Sequence, residues 1–190
     1  MKRLQLDYVD IVFAHAFDKE TPLEEIVRGF NELIEEGLTF YWGTSNWRPE
    51  QVFEAFAICE KYNLIKPIAA QNQYNMIVRD EIEGEYRTLF EKYGYGTTHW
   101  SPLGGGYLTG KYLDGIPNEA GHRLTEEKRA ALLKTFFFDP YTKNPNLTEN
   151  LKKLKEFSEK EIGYPLHNLA IAWTLNFKYT STSLIGARSV

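Results

Sequence analysis

The chain has 190 residues, 43% of them apolar and 25% charged, with a net charge of −4. That length holds one domain with a sizeable core, and the balance excludes a disordered or fibrous chain. Charges of both signs are interspersed, so no basic face points to nucleic acid or an anionic membrane, and no apolar run approaches the about 20 residues of a membrane span. The single cysteine, Cys59, cannot close an internal disulfide, which fits a reducing cytoplasm. Met1 to Asp7 contain no apolar leader core, so no signal peptide is expected.

Residues 8–14 form a β-branched and aromatic run, a strand that ends at His15. Thr21-Pro22-Leu23-Glu24 has the pattern of a capping box with proline in the first turn, and Leu23, Ile26, Val27, Phe30, Leu33 and Ile34 follow at helical spacing until Gly37. A second strand is expected over 39–44 and a helix over 49–62. A third strand covers 68–72 and a helix 83–93, ended by Gly94. A fourth strand spans 95–100 and closes at Ser101-Pro102. The segment 103–145 is irregular, with a helix near 126–135. Helices follow over 146–162 and 166–177, and a last strand over 182–185.

Strand–helix alternation of this kind specifies parallel βαβ units with right-handed crossovers. Two architectures satisfy it, a doubly wound open sheet and part of a (β/α)8 barrel. Residues 1–190 read as a single domain, with no linker or low-complexity boundary.

In both architectures functional groups gather at the C-terminal ends of the strands. The five strands end near His15, near Ser45-Asn46-Trp47, at Gln71-Asn72, at Trp100-Ser101-Pro102-Leu103-Gly104, and at Gly186-Ala187-Arg188. Each has a structural alternative: a surface histidine, a turn and helix entry, an exposed glutamine, a core indole. Together they form a kit for a flat, amide-bearing, phosphorylated ligand. Gly105 to Tyr112 nearly match a P-loop, but Tyr112 replaces the Ser or Thr that holds magnesium, and a Pro-containing turn precedes it. No GxGxxG fingerprint opens a βαβ unit, and His15, His99, His122 and His167 lack metal-ligand spacing.

Four blocks carry a resemblance. Residues 4–10 running to His15, residues 41–47, residues 71–76 and residues 100–112 resemble, in order and spacing, the signatures of the aldo-keto reductase family. The wording is most similar to the branch of voltage-gated potassium-channel β subunits and related NADP-dependent oxidoreductases. The resemblance implies an α/β fold, a partial (β/α)8 TIM barrel comprising parallel strands 4 to 8 with their helices, and NADP(H) as cofactor in hydride transfer to a carbonyl. It gives His15 the part of orienting and polarising the substrate carbonyl, and a histidine there resembles the enzymatic members more than channel subunits, which often carry asparagine. Ser45, Asn46 and Gln71 look like the groups that hold the nicotinamide carboxamide, and Trp100 like the indole stacked on the ring. Ser101, Pro102, Leu103, Gly104 and Gly106 resemble the loop around the pyrophosphate, with Lys111 and Arg123 supplying positive charge. Gly186 and Arg188 resemble the start of the adenosine-phosphate segment, although Arg188 departs from the small residue common in channel subunits. No metal is implied. The implied partners are a small carbonyl substrate and either a second copy or a potassium-channel α subunit, without nucleic acid or membrane insertion.

The family's catalytic Asp, Tyr and Lys lie on strands upstream of the matching blocks, and its cofactor segment continues beyond Val190. The resemblance therefore implies a chain incomplete at both ends, with open sheet edges and without the tyrosine that protonates the nascent alkoxide. The expectation is that the purified 190-residue chain reduces no carbonyl compound above a cofactor-and-buffer control, and turnover in an NADPH-consumption assay would overturn it.

Overall fold

The computed structural model describes residues 1–115, 141 and 144–186, so the helix expected near 126–135 lies outside the described residues. The described elements are β1 (Val9–Ala14), α1 (Leu23–Glu35), β2 (Thr39–Thr44), α2 (Pro49–Tyr62), β3 (Ala69–Gln73), α3 (Arg87–Tyr93), β4 (Gly96–Trp100), α4 (Leu147–Phe157), α5 (Leu166–Leu175) and β5 (Thr180–Leu184). The five parallel strands form one sheet in the order β1-β2-β3-β4-β5. Chain order and spatial order coincide. A doubly wound sheet reverses its strand order at a switch point, whereas a barrel does not, so the order selects part of a (β/α)8 barrel.

Register places the strand ends at one edge. Ala14 pairs with Thr44, Thr44 with Ala70, and Gln71 and Gln73 with Thr98 and Trp100. In β2 the chain needs Gly43, because a Cβ there would stand 2.6 Å from the Ala69 carbonyl oxygen and 2.7 Å from the Phe13 ring.

Two compact units are present. The first comprises residues 1–73, 80–100 and 179–182. Helices α1 and α2 and strand β2 are anchored at Ile65, ahead of β3. The Ile65 carbonyl accepts from Asn31 Nδ2 at 3.2 Å and Trp42 Nε1 at 2.8 Å, and the Cys59 thiol lies at 3.5 Å. The Ile65 amide donates to Asn31 Oδ1 at 2.7 Å. Phe30 of α1 stacks on Trp42 at 5.1 Å, so one buried indole is fixed by both ring contact and hydrogen bond. Burial pushes the Cys59 thiol up to about 11, with the Lys66 charge opposing and the Glu60 charge adding. The described part of the second unit comprises residues 74–79, 101–115, 141, 144–178 and 183–186. Tyr74, Leu108, Tyr141, Leu147, Leu151, Leu166 and Ala170 are buried there, and Tyr74 stacks on Trp173 at 5.0 Å. No helix among the described residues is long and apolar enough to cross a membrane.

Three local expectations change. Thr21 does not cap α1; its hydroxyl donates to Asp18 Oδ2 at 2.7 Å, which closes the preceding turn, and Pro22 takes the cap position. The helix expected over 83–93 is a π-helical turn, Glu81–Glu85, followed by α3. Gly84, which favours a continuous α-helix least of ordinary residues, sits in that turn. The helix expected over 146–162 likewise ends as α4 at Phe157 and finishes in a π-helical turn, Ser158–Ile162, where Ser158 Oγ donates to the Tyr164 carbonyl at 2.7 Å.

His99 of β4 is fully buried. Its Nδ1 lies 3.3 Å from Thr97 Oγ1 and its Nε2 2.9 Å from Thr180 Oγ1. Burial pushes the imidazole down to about 4, against a hydrogen bond with the Asn72 backbone. The unfolded chain takes up this proton near pH 6.5 and the folded chain only near pH 4, so stability is complete above about 6.5 and falls as pH drops through that window. The loss amounts to roughly 3 kcal/mol at the acid end. Urea unfolding at pH 7 and pH 4.5 should show it, and His99→Gln should fall less steeply over the same interval.

Candidate functional site

The first unit gathers five of the expected site residues at the C-terminal edge of the sheet. His15 follows β1 directly and is exposed. The Ser45 amide donates to the Ala14 carbonyl at 2.8 Å, continuing the β1–β2 ladder by one residue. Ser45 Oγ, buried, donates to the Gln71 carbonyl at 2.7 Å. Asn46 then turns into the left-handed region at φ 56°, which is uncommon outside glycine. Its Nδ2 donates to Ser45 Oγ at 3.2 Å, and its Oδ1 accepts from Trp100 Nε1 at 3.0 Å. The Ser45, Asn46 and Trp100 side chains and the Gln71 main-chain carbonyl, from three successive strands, are thus joined in one hydrogen-bonded chain.

That connection has a consequence for each group. The Ser45 hydroxyl hydrogen is committed to the Gln71 main-chain carbonyl and one lone pair to Asn46 Nδ2, which leaves its oxygen one further acceptor position. The Trp100 ring is half-buried, and the bond from its Nε1 fixes its plane. Gln71 is half-buried in mid-strand.

Behind this edge lie further groups; the sequence placed Asn72 and Trp47 at strand ends but gave them no individual role, and it did not single out the others. Asn72, 1% exposed, accepts the Asn46 amide on Oδ1 at 2.8 Å and donates from Nδ2 to Glu81 at 3.1 Å. The Tyr86 hydroxyl donates to the Trp47 carbonyl. Thr44 and Tyr95 hydroxyls meet at 2.8 Å, and the Tyr95 hydroxyl also reaches the Ala69 carbonyl at 2.8 Å. Burial pushes both phenols well above the ordinary tyrosine range, so they are neutral hydrogen-bonding groups. Trp47 itself is fully buried, edge-on to Phe17 at 5.0 Å, and forms core beneath the edge. Asn72 was visible as a polar residue beside Gln71; nothing in the sequence says that it faces inward.

The second unit carries the loop residues. Ser101, Gly104, Gly105, Gly106 and Gly110 all have positive φ, and residues 104–109 form a 3-10 turn kinked at Gly105 and Gly106. Asn75 steadies the loop by donating from Nδ2 to the Ser101 carbonyl at 3.0 Å. A cleft of about 400 Å³ is lined by Ser101, Pro102, Leu103, Gly105, Gly106, Thr109 and Lys111, together with Leu184, Ile185 and Gly186. Of the expected loop residues only Gly104 is not in that lining; it is buried against Ile77 and Tyr141. The Gly104 and Gly106 amides donate to the Ser101 and Leu103 carbonyls, each at 2.9 Å. The positive charge at the cleft comes from Lys111, whose ammonium lies 5.0 Å above the Tyr112 ring. Arg123 and Arg188 lie outside the described residues. Among the described residues no group of three or more His, Cys, Asp or Glu is placed to hold a metal.

Residues 1–190 match the Aldo/keto reductase family along their whole length, and the chain belongs to that family. Among its relatives, a protein of Schizosaccharomyces pombe described as a putative voltage-gated potassium channel subunit beta is 43% identical over 189 residues, covering 98% of this chain and 52% of the relative. Proteins of Oryza sativa subsp. japonica and Arabidopsis thaliana, each described as a probable voltage-gated potassium channel subunit beta, are 39% and 38% identical, covering 98% of this chain and 55% of their own length. The chain spans about half the length of these curated relatives.

Gly106 carries the sharpest steric condition in the cleft. At φ 108° a side chain is strained, and a Cβ would stand 2.6 Å from Lys111 Cε and 2.9 Å from its Nζ. Gly106→Ala should therefore both destabilise the loop, by about 1–3 kcal/mol, and displace the Lys111 ammonium. Denaturation midpoints compared with wild type check the first effect, and a midpoint unchanged by the substitution would contradict this account.

Proposed function

We propose that this chain forms the NADP(H)-holding part of an aldo-keto reductase that transfers hydride to a small carbonyl compound. The observation that carries the reading is the hydrogen-bonded chain Gln71–Ser45–Asn46–Trp100 at the sheet edge. It presents an indole of fixed plane beside amide and hydroxyl groups, which suits a flat ring bearing a carboxamide. Trp100 is the stacking face for the nicotinamide, and Ser45, Asn46 and Gln71 hold its carboxamide and so choose the face turned to substrate. His15 polarises the carbonyl.

In the other unit, Lys111 and the glycine loop take phosphate. Support comes from the missing Cβ at Gly106, which leaves the space that the lysine stem uses, and from the lining of the cleft by Lys111 and Thr109. Gly186, and Arg188 with Arg123, extend this part toward the adenosine phosphate by family resemblance. When bound, the cofactor supplies the hydride. The protein's share is orientation, since holding reacting atoms in near-attack geometry accounts for several kcal/mol of a barrier.

A second reading is favoured by the names of the relatives: an NADPH-sensing β subunit that regulates a voltage-gated potassium channel rather than turning over substrate. Stable co-purification with a channel α subunit, in a protein that binds NADPH without consuming it, would select this reading.

Titration of the purified chain with NADPH, followed by tryptophan fluorescence with NADH in parallel, tests the shared core of both readings. Saturable quenching should be lost in Trp100→Ala and weakened about tenfold in Lys111→Ala, the loss of roughly 1.4 kcal/mol of charge contact. Absence of saturable quenching in a folded sample would remove the cofactor reading from this chain.

A further inference from the structure

Glu81 stands at the start of the π-helical turn after β3, half-buried, and none of the roles assigned above uses it. Its Oε1 accepts from Asn72 Nδ2 at 3.1 Å, while Asn72 Oδ1 accepts the Asn46 amide at 2.8 Å. A primary amide offers donors at one end and an acceptor at the other, and an ionised carboxylate only accepts. Glu81, which only accepts, and the Asn46 backbone amide, which only donates, together decide which way round the buried Asn72 amide lies. With the NH2 group turned to Glu81, the oxygen faces Asn46 and holds its amide in the left-handed turn at φ 56°. That turn aims the Asn46 side chain at Ser45 Oγ and Trp100 Nε1.

We propose that Glu81 is a positioning residue: through Asn72 it sets the Asn46 turn that orients the Trp100 indole, and thereby tunes the grip of the sheet edge on the nicotinamide end of a dinucleotide. The relay itself stands on the geometry; its effect on a dinucleotide rests on the cofactor reading above.

A stability role alone explains Glu81 poorly. Burial raises its carboxyl above the ordinary range, the Glu85 and Glu50 charges raise it further, and only the Asn72 bond works the other way. An apolar side chain in this half-buried place would avoid that penalty. The Tyr86 hydroxyl, bonded to the Trp47 carbonyl and also to the Asn72 side chain, holds the residue after Asn46 from the same cluster, so the turn is fixed on both sides of its peptide.

The test uses the 15N-labelled chain and the indole N–H signals of its four tryptophans, with the Trp100 signal assigned by Trp100→Phe. Glu81→Met removes the acceptor at similar length and should shift the Trp100 indole signal, speed its exchange with water and weaken NADPH binding about tenfold. Glu81→Gln keeps an accepting oxygen and should leave signal and affinity within about twofold of wild type. Asn72→Ala should reproduce the Glu81→Met effect, and the double variant should be no worse than Asn72→Ala alone, because both act on one relay. Should Glu81→Met fail to fold, Glu81→Ala serves the same comparison. Equal behaviour of Glu81→Met and Glu81→Gln, or additive effects in the double variant, overturns the relay. A shifted indole in a chain that binds no NADPH upholds the relay and removes only the cofactor reading. An unshifted indole beside normal NADPH binding removes only the relay.

Discussion

Parallel pairing in chain order is the constraint on which the rest depends. Because β1 to β4 pair in parallel with Ala14, Thr44 and Ala70 in step, the residues that leave each strand emerge along one edge of the sheet. Ser45, Gln71 and Trp100 are 26 and 29 positions apart in sequence, yet Asn46 reaches Ser45 and Trp100 at once. A one-residue slip of β2 would exchange its two faces, turning Trp42 and Thr44 to the side now held by Tyr41 and Gly43.

The edge and the loop solve different recognition problems with different materials. At the edge, amides, a hydroxyl and an indole satisfy one another, so the groups are held in place before any ligand arrives. In the loop, backbone conformation dominates, with positive φ at Ser101, Gly104, Gly105, Gly106 and Gly110 and one lysine at the cleft. The glycines adopt positive φ without steric cost, so only Ser101, at φ 57°, is held in a conformation that strains a side chain, and such positions concentrate where a protein binds or reacts. Asn75 anchors the loop through the Ser101 carbonyl, and its Oδ1 also accepts the amides of Ile77 and Val78 at 2.9 and 3.0 Å.

Much of this was legible in the sequence for a plain reason. β1 and β2 are short β-branched and aromatic runs flanked by turn residues, and the helices α1 and α2 carry apolar stripes at helical spacing, so period and punctuation locate them, whereas β3, Ala69–Gln73, is found by its place in the alternation. Family resemblance then supplied what periodicity could not, the choice of barrel over open sheet, which strand order now supports independently. Less legible were features decided by competition between local partners. Thr21 could cap α1 or close the Asp18 turn, and only geometry selects the turn. The 83–93 and 146–162 stretches look uniformly helical, because a π-helical turn shares the composition of an α-helix. Asn72 and Glu81 escaped notice as a pair because each is an ordinary polar residue in the sequence; only their mutual distance gives them meaning.

The buried Cys59 offers a chemical clock for the first unit. The residue is 1% exposed, its thiol proton is held up to about 11, and its sulfur lies against the Ile65 carbonyl that also receives Asn31 and Trp42. Thiolate is the species that alkylating reagents attack, so the native chain is doubly protected, by access and by protonation. Modification requires that α2 part from the segment around Ile65, whose carbonyl also receives Asn31 and Trp42. The pace at which a maleimide consumes the thiol thus measures how often this corner of the molecule opens, with no label or ligand introduced beforehand.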